Sequence, residues 1–263
     1  MRLLAVLVAL VTLVAPAYAE DGVDPLAPAR QMYNERRFDE AIAAAEAVRE
    51  LPGVADSADL VAARAYLERH RQTADEQDLA NAHERLRRIN PEAFDNGERT
   101  EYAIGLGATL YFEDLPGAAA AAFWSLLEAD HGLEGEARDR LLDWWASATD
   151  RDARPRAEPE RRRLYESVHE RMRLELSANP ASPVAAYWLA AAAAGQADWQ
   201  RAWDEAQAAW VRAPLMSDSG AMLRPDLDRL VRRAIAPERA KATGRTAEEL
   251  LAEWDAFTAK WSR

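Results

Sequence analysis

The placement of alanine constrains this chain more than any other feature. In D-W-Q-R-A-W-D-E-A-Q-A-A-W-V-R-A-P, which ends at Pro214, Ala202, Ala206 and Ala209 recur at gaps of four and three. That spacing lines small side chains along one stripe of an α-helix. Such a stripe lets a second backbone come close, and a large residue then fills the gap beside it. Trp199, Trp203 and Trp210 are spaced by four and seven in the same stretch, so they share a helix face. A buried aromatic side chain removes about 150–250 Å² from water. These three are read as wedges between packed helices rather than as a platform for a ligand.

The rest of the chain repeats this helical grammar. β-branched residues are scarce, and no alternating apolar/polar run suggests a strand series. Thr246 stands three residues before Glu249, a capping-box start. Leu250, Trp254, Phe257 and Trp261 follow at gaps of four, three and four, on one face of a closing helix. Thr73 with Glu76 is read as a second capping box, opening a helix that runs to Ile89. Ser182-Pro183 is a further start. Pro52, Pro91, Pro180, Pro214 and Pro237 are read as stops. About twelve helices, each about 11–20 residues long, fit between these marks. The proline- and charge-rich stretch Thr149–Arg163 is either a hinge between two lobes or a polar loop, and the loop is preferred. It leads into a charged helix over about Glu158–Ser177.

Three windows share a longer pattern. Leu189-Ala190 precedes Ala202 by thirteen residues from the leucine, followed by Ala206, Ala209 and Pro214. Leu106-Gly107 precedes Ala119 by the same distance, with Phe123 four residues on. Phe38, Ala41, Ala45 and Pro52 keep the matching order. These residues resemble the tetratricopeptide repeat, a helix-turn-helix unit of about 34 residues. The resemblance implies an all-α fold, a right-handed helix-turn-helix α-solenoid. Residues 20–150 would form N-terminal repeats, and residues 151–263 C-terminal repeats with a capping helix.

A solenoid of this kind is lined on its concave side by the first helix of each pair. The resemblance places Arg30, Tyr33 and Asn34 there, then Ala108, Tyr111 and Phe112, then Tyr187 and Ala191. Tyrosine and arginine are favoured anchors of protein interfaces. The alternative for Tyr111 and Tyr187 is packing against the next helix. Adjacent residues on a helix diverge, so Trp144 and Trp145 cannot both be buried on one side, and the pair is a further surface candidate. The positions that hold lysine and asparagine in carboxylate-clamping members of the family read Leu26 and Arg30, or Ile104 and Ala108. That clamp is therefore not expected.

The chain opens with Arg2, the apolar run Leu3–Val14 and then A-P-A-Y-A. This is the order of a secretory signal peptide over residues 1–19, cut between Ala19 and Glu20. The expected location is periplasmic or secreted, with no stable membrane insertion after cleavage. No cysteine is present, which excludes disulfides and a thioether lipid anchor. The net charge of −12, from 45 acidic and 33 basic side chains, repels a phosphate backbone, so nucleic acid is not an expected partner. His70, His83, His131 and His169 match no metal-ligand spacing. No nucleophile elbow and no phosphate loop occur. No cofactor is expected. The function expected is a non-enzymatic scaffold or adaptor binding one or more proteins of the bacterial cell envelope. The alternative is a helical enzyme acting on peptidoglycan or another envelope glycan. The closing helix caps the array or meets a second copy, and a capped monomer is favoured.

Overall fold

The computed structural model describes residues 24–129 and 133–262. The expected signal peptide, the cut expected after Ala19, and His131 lie outside the described residues. Among the described residues every regular element is helical and no strand forms. The first six helices are α1 (Ala27–Asn34), α2 (Phe38–Val48), α3 (Ala55–Thr73), α4 (Glu76–Arg88), α5 (Asn96–Phe112) and α6 (Pro116–Glu128). The remainder are α7 (Gly135–Ala153), α8 (Glu158–Ala178), α9 (Pro183–Gly195), α10 (Trp199–Arg212), α11 (Leu223–Leu230), α12 (Ala236–Thr243) and α13 (Ala247–Trp261). A π-helical turn, Val231–Ile235, joins α11 to α12 in one continuous rod, which leaves twelve described helices.

Local signals set most of the ends. The Thr246–Glu249 capping box forms in both directions: Glu249 N–H donates to Thr246 Oγ1 at 3.1 Å, and Thr246 N–H to Glu249 Oε2 at 3.0 Å. Ser182 caps α9 by accepting from Ala185 N–H at 3.2 Å, with Pro183 as the first helical residue. α2, α4, α8 and α10 end just before Pro52, Pro91, Pro180 and Pro214.

Three expectations change. Thr73 does not open α4 but closes α3, where its hydroxyl donates to the Arg69 carbonyl at 2.9 Å. Ala74 then turns left-handed at φ 56°, and Asp75 caps α4 by accepting from Gln77 N–H at 2.9 Å. A left-handed residue ends one helix, and the aspartate beside it is a strong cap for the next. Pro237 does not stop a helix either. It lies in the first turn of α12, directly after the π turn, and the widened turn makes room for its ring and missing N–H. The charged stretch after Thr149 is mostly helical, because α7 continues to Ala153 and α8 starts at Glu158. Ion pairs four residues apart, Asp150–Arg154 at 2.6 Å, Asp152–Arg156 at 2.9 Å and Glu158–Arg162 at 2.9 Å, support it.

Each helix packs on the next, and the odd-numbered ones also pack on one another: α1 on α3, α3 on α5, α5 on α7, α7 on α9 and α9 on α11. The odd helices thus form one continuous layer, and each even helix from α2 to α10 lies against its two odd neighbours. The largest apolar core runs from α3 to α9 and passes residue 150 unbroken, with Leu141 and Trp145 of α7 joining Val168 and Met172 of α8. A second core joins α9 and α10 to α11, α12 and α13.

Small residues sit where helices cross. Ala190 and Ala193 of α9 and Ala202, Ala206 and Ala209 of α10 are fully buried. A Cβ on Gly107 would stand 2.5 Å from Phe123 Cε1, so the ring of α6 occupies the space that the glycine leaves on α5. Trp203 and Trp210 are core residues, as the spacing predicts, while Trp199 at the start of α10 is half-buried. α13 closes this core. Leu250 and Trp254 are completely buried, and the Trp254 ring meets Trp203 at 5.8 Å and Trp210 at 5.5 Å. Its indole N–H donates to Asp228 Oδ1 at 3.0 Å.

Candidate functional site

The residues singled out from the sequence spread along the odd-helix layer. At its first end, Arg30 of α1 pairs with Asp24 and, at 3.0 Å, with Glu98 of α5. Its charge is therefore engaged in tying helices together. Tyr33 is half-buried beneath the Arg64 guanidinium, which lies 4.4 Å from the ring centroid. Burial pushes its phenol above the ordinary range, and the positive charge of Arg64 opposes that rise. Asn34 is exposed at the end of α1. Arg64 of α3 also pairs with Glu101 of α5 at 2.8 Å, and Arg140 of α7 lies 3.8 Å from the same carboxylate. Arg30, Arg64, Glu98 and Glu101 line a cleft of about 330 Å³. Both arginines are already paired, with Glu98 and Glu101, and Asp95, also in the lining, accepts from the Glu98 N–H to cap α5.

In the middle of the layer an aromatic cluster joins four helices. Phe112 meets His70 of α3 edge-on at 4.8 Å, and Tyr111 and Phe112 meet Trp144 of α7 at 5.5 and 5.7 Å. Trp144 also stacks on Phe123 of α6 at 5.8 Å. Tyr111 therefore packs against the next odd helix and still keeps a half-exposed side. Arg151 lies 5.0 Å from its ring centroid and donates to its carbonyl at 3.0 Å. The two adjacent tryptophans diverge as helical geometry requires. Trp144 is half-buried, whereas Trp145 is only 4 % exposed and packs on Trp124 at 5.1 Å. Trp145 is core, and no partner can reach most of it.

Toward the other end, Tyr187 of α9 is half-buried and edge-on to Trp188 at 5.5 Å. The Trp188 indole N–H donates to Asp143 Oδ1 of α7 at 2.8 Å. Asp143 is exposed to solvent, yet enough protein surrounds its carboxyl that desolvation pushes its pKa up. The Trp188 hydrogen bond and the charge of Arg71 act the other way, and Asp226 adds to the rise. Desolvation also raises the Tyr187 phenol, helped by Asp226, Asp150 and Asp143. Electrostatic coupling thus reaches Asp143 from Arg71 on α3 and Asp226 on α11.

Asp143, Trp188, Arg64 and Glu101 were not singled out by sequence reasoning. The only local hint was the position of Asp143 beside the Trp144-Trp145 pair. Its partner Trp188 lies 45 residues away.

Other features make their own contacts within the chain. A shallow cleft of about 310 Å³ is lined by Asp152, Arg156, Glu160, Arg163 and Leu164, where Arg156 already pairs with Asp152 at 2.9 Å and Glu160 at 3.6 Å. His70 Nδ1 is 2.8 Å from the Asp75 carbonyl, His83 Nδ1 is 2.8 Å from Glu113, and His169 Nδ1 is 2.9 Å from Arg201. Among the described residues no three His, Asp or Glu side chains converge as metal ligands, and no helix is long and apolar enough to cross a membrane. Comparison of the chain with protein-family models, with curated proteins and with solved structures finds no match.

Proposed function

We propose that the chain is an exported, tetratricopeptide-like, right-handed α-solenoid. In this reading it serves as a non-enzymatic scaffold or adaptor of the cell envelope. Its odd-helix layer is the concave face, and it binds a segment of another protein. The observation that carries this reading is the layer itself. Successive odd helices pack side by side and present half-buried Tyr33, Tyr111 and Tyr187. Among the described residues nothing hydrogen-bonds the hydroxyls of these three tyrosines. A rigid surface with unspent hydrogen-bonding groups loses little ordering entropy on binding, and tyrosine offers apolar area and a polar tip together. The N-terminal sequence supports export.

The test is in-cell photo-crosslinking from a probe at position 111, followed by mass spectrometry of the adduct. One dominant adduct that disappears in Tyr33→Ala or Tyr187→Ala is the expected result. No adduct from a correctly folded chain removes the odd-helix layer as the binding face.

A further inference from the structure

Asp143 and Asp139, one turn apart on α7, differ from most carboxylates around them: burial pushes both pKa values up, and Asp139 is engaged by the Ser182 hydroxyl. On the odd helices, Glu68 is paired with Arg71 at 2.8 Å, Glu98 with Arg30 at 3.0 Å, Glu101 with Arg64 at 2.8 Å and Asp226 with Arg229 at 2.7 Å. Among the described residues no lysine, arginine or histidine pairs with Asp143. The one cation among these residues that acts on it, Arg71, already holds Glu68. Only Oδ1 is engaged, by the Trp188 indole N–H. An amide oxygen would accept that bond equally well, so the fold does not require a charge here. An anion that water only partly solvates, with Asp226 adding to the negative field, is costly without a counter-charge.

We infer that Asp143 seats a cationic side chain, lysine or arginine, of the protein segment bound by the odd helices. The Trp188 indole is bound to Asp143, and Tyr187, edge-on to Trp188 at 5.5 Å, is the neighbouring ring on α9. The inference rests on the proposed function and deepens it by naming the chemistry of the partner. The free Oδ2 receives the ammonium or guanidinium head as a charge-assisted hydrogen bond. The half-exposed ring of Tyr187 covers the aliphatic stem, and its unpaired hydroxyl accepts a further N–H. The net charge of −12 draws a basic segment toward the face before contact.

The experiment follows the indole N–H resonance of Trp188, assigned by its loss in Trp188→Phe, by NMR during titration of the folded chain. The probes are N-acetyl-arginine amide and its uncharged isostere N-acetyl-citrulline amide. The arginine probe is expected to shift the resonance saturably, with about tenfold or more weaker binding of the citrulline probe. Asp143→Asn is expected to abolish the difference between probes, and Asp204→Asn on α10 to leave it unchanged. No shift, equal response to both probes, or full retention in Asp143→Asn overturns the inference. The comparison of the two probes on the unaltered chain needs no variant to fold. Capture at position 111 without discrimination between the probes removes the cationic seat and leaves the binding face standing. Discrimination without capture does the reverse.

Discussion

Replacing Gly107 with alanine sets two effects of known size against each other. In the middle of a helix such as α5 the change alone would stabilise by about 1 kcal/mol. Here the new Cβ would lie 2.5 Å from Phe123 Cε1 and 2.8 Å from Cζ, whereas unstrained carbon pairs stand about 3.5–4.0 Å apart. The ring must therefore retreat by roughly 1 Å. It has no room to do so, because Phe123 is 0 % exposed and stacks on Trp144 behind it at 5.8 Å. Overpacking costs about 1–3 kcal/mol, and a displacement this large against a closed core belongs at the upper end. The net loss expected is about 2 kcal/mol, or a fall in Tm of roughly 4–8 °C for a chain of this size. Urea and thermal unfolding followed by far-UV circular dichroism measure it. Phe123→Leu in the same chain relieves the clash, so the double variant should lose less than the two single losses added. A Gly107→Ala chain as stable as its parent, or strict additivity with Phe123→Leu, would refute the claim that these helices are held at this distance by the missing side chain.

Other perturbations follow from particular contacts. Trp254→Ala removes the ring on which Trp203 and Trp210 close, and a loss of about 3–5 kcal/mol is expected in chemical denaturation. A loss below that range would mean that α13 is not the cover of the second core. For Asp59, burial opposes ionisation, but hydrogen bonds from Arg49 and Arg85 outweigh it and hold its pKa below the ordinary value. Its contribution is complete above the unfolded pKa and is lost as pH falls through the folded one. Asp59→Asn should cost about 3 kcal/mol at neutral pH, and a Tm-versus-pH series should show parent and variant converging in acid. Asp143 has the opposite sign. Its raised folded pKa makes its contribution complete below the unfolded value and lost as pH rises through the folded one. Asp143→Asn should therefore raise Tm at neutral pH, by an amount that shrinks on acidification, and a lower Tm at neutral pH would contradict the desolvation.

The elements that could be read in advance were those with local causes. Thr246 and Glu249, Ser182 and Pro183, and the prolines after α2, α4, α8 and α10 act within a turn of themselves, and each marks a helix end in the structure. Where two local signals competed, reading failed. Thr73 and Asp75 are both capable caps, and the left-handed turn at Ala74 gave the role to Asp75. At Pro237 a local rule was overridden from outside. Val231, Ile235 and Ala236 are completely buried in the second core, and their packing holds the chain helical on both sides of the proline.

The candidate surface divides in the same way. Spacing showed that Trp144 and Trp145 must diverge, but Trp124 from α6 decided that Trp145 is the buried one. Tyr33, Tyr111 and Tyr187 were visible because the pattern of small and aromatic residues set the helices that carry them. The ion pairs that join Arg30 to Glu98 and Arg64 to Glu101, and the bond from Trp188 to Asp143, were not visible. Sequence by itself determined that this chain is helical, where most of its helices begin and end, and which small residues let them approach. Those properties depend on neighbours within about four residues, where the backbone fixes the geometry. Tertiary structure alone decided which charges cancel and left Asp143 without a cation. That outcome depends on side chains brought together from α3, α7, α9 and α11 only when the helices pack.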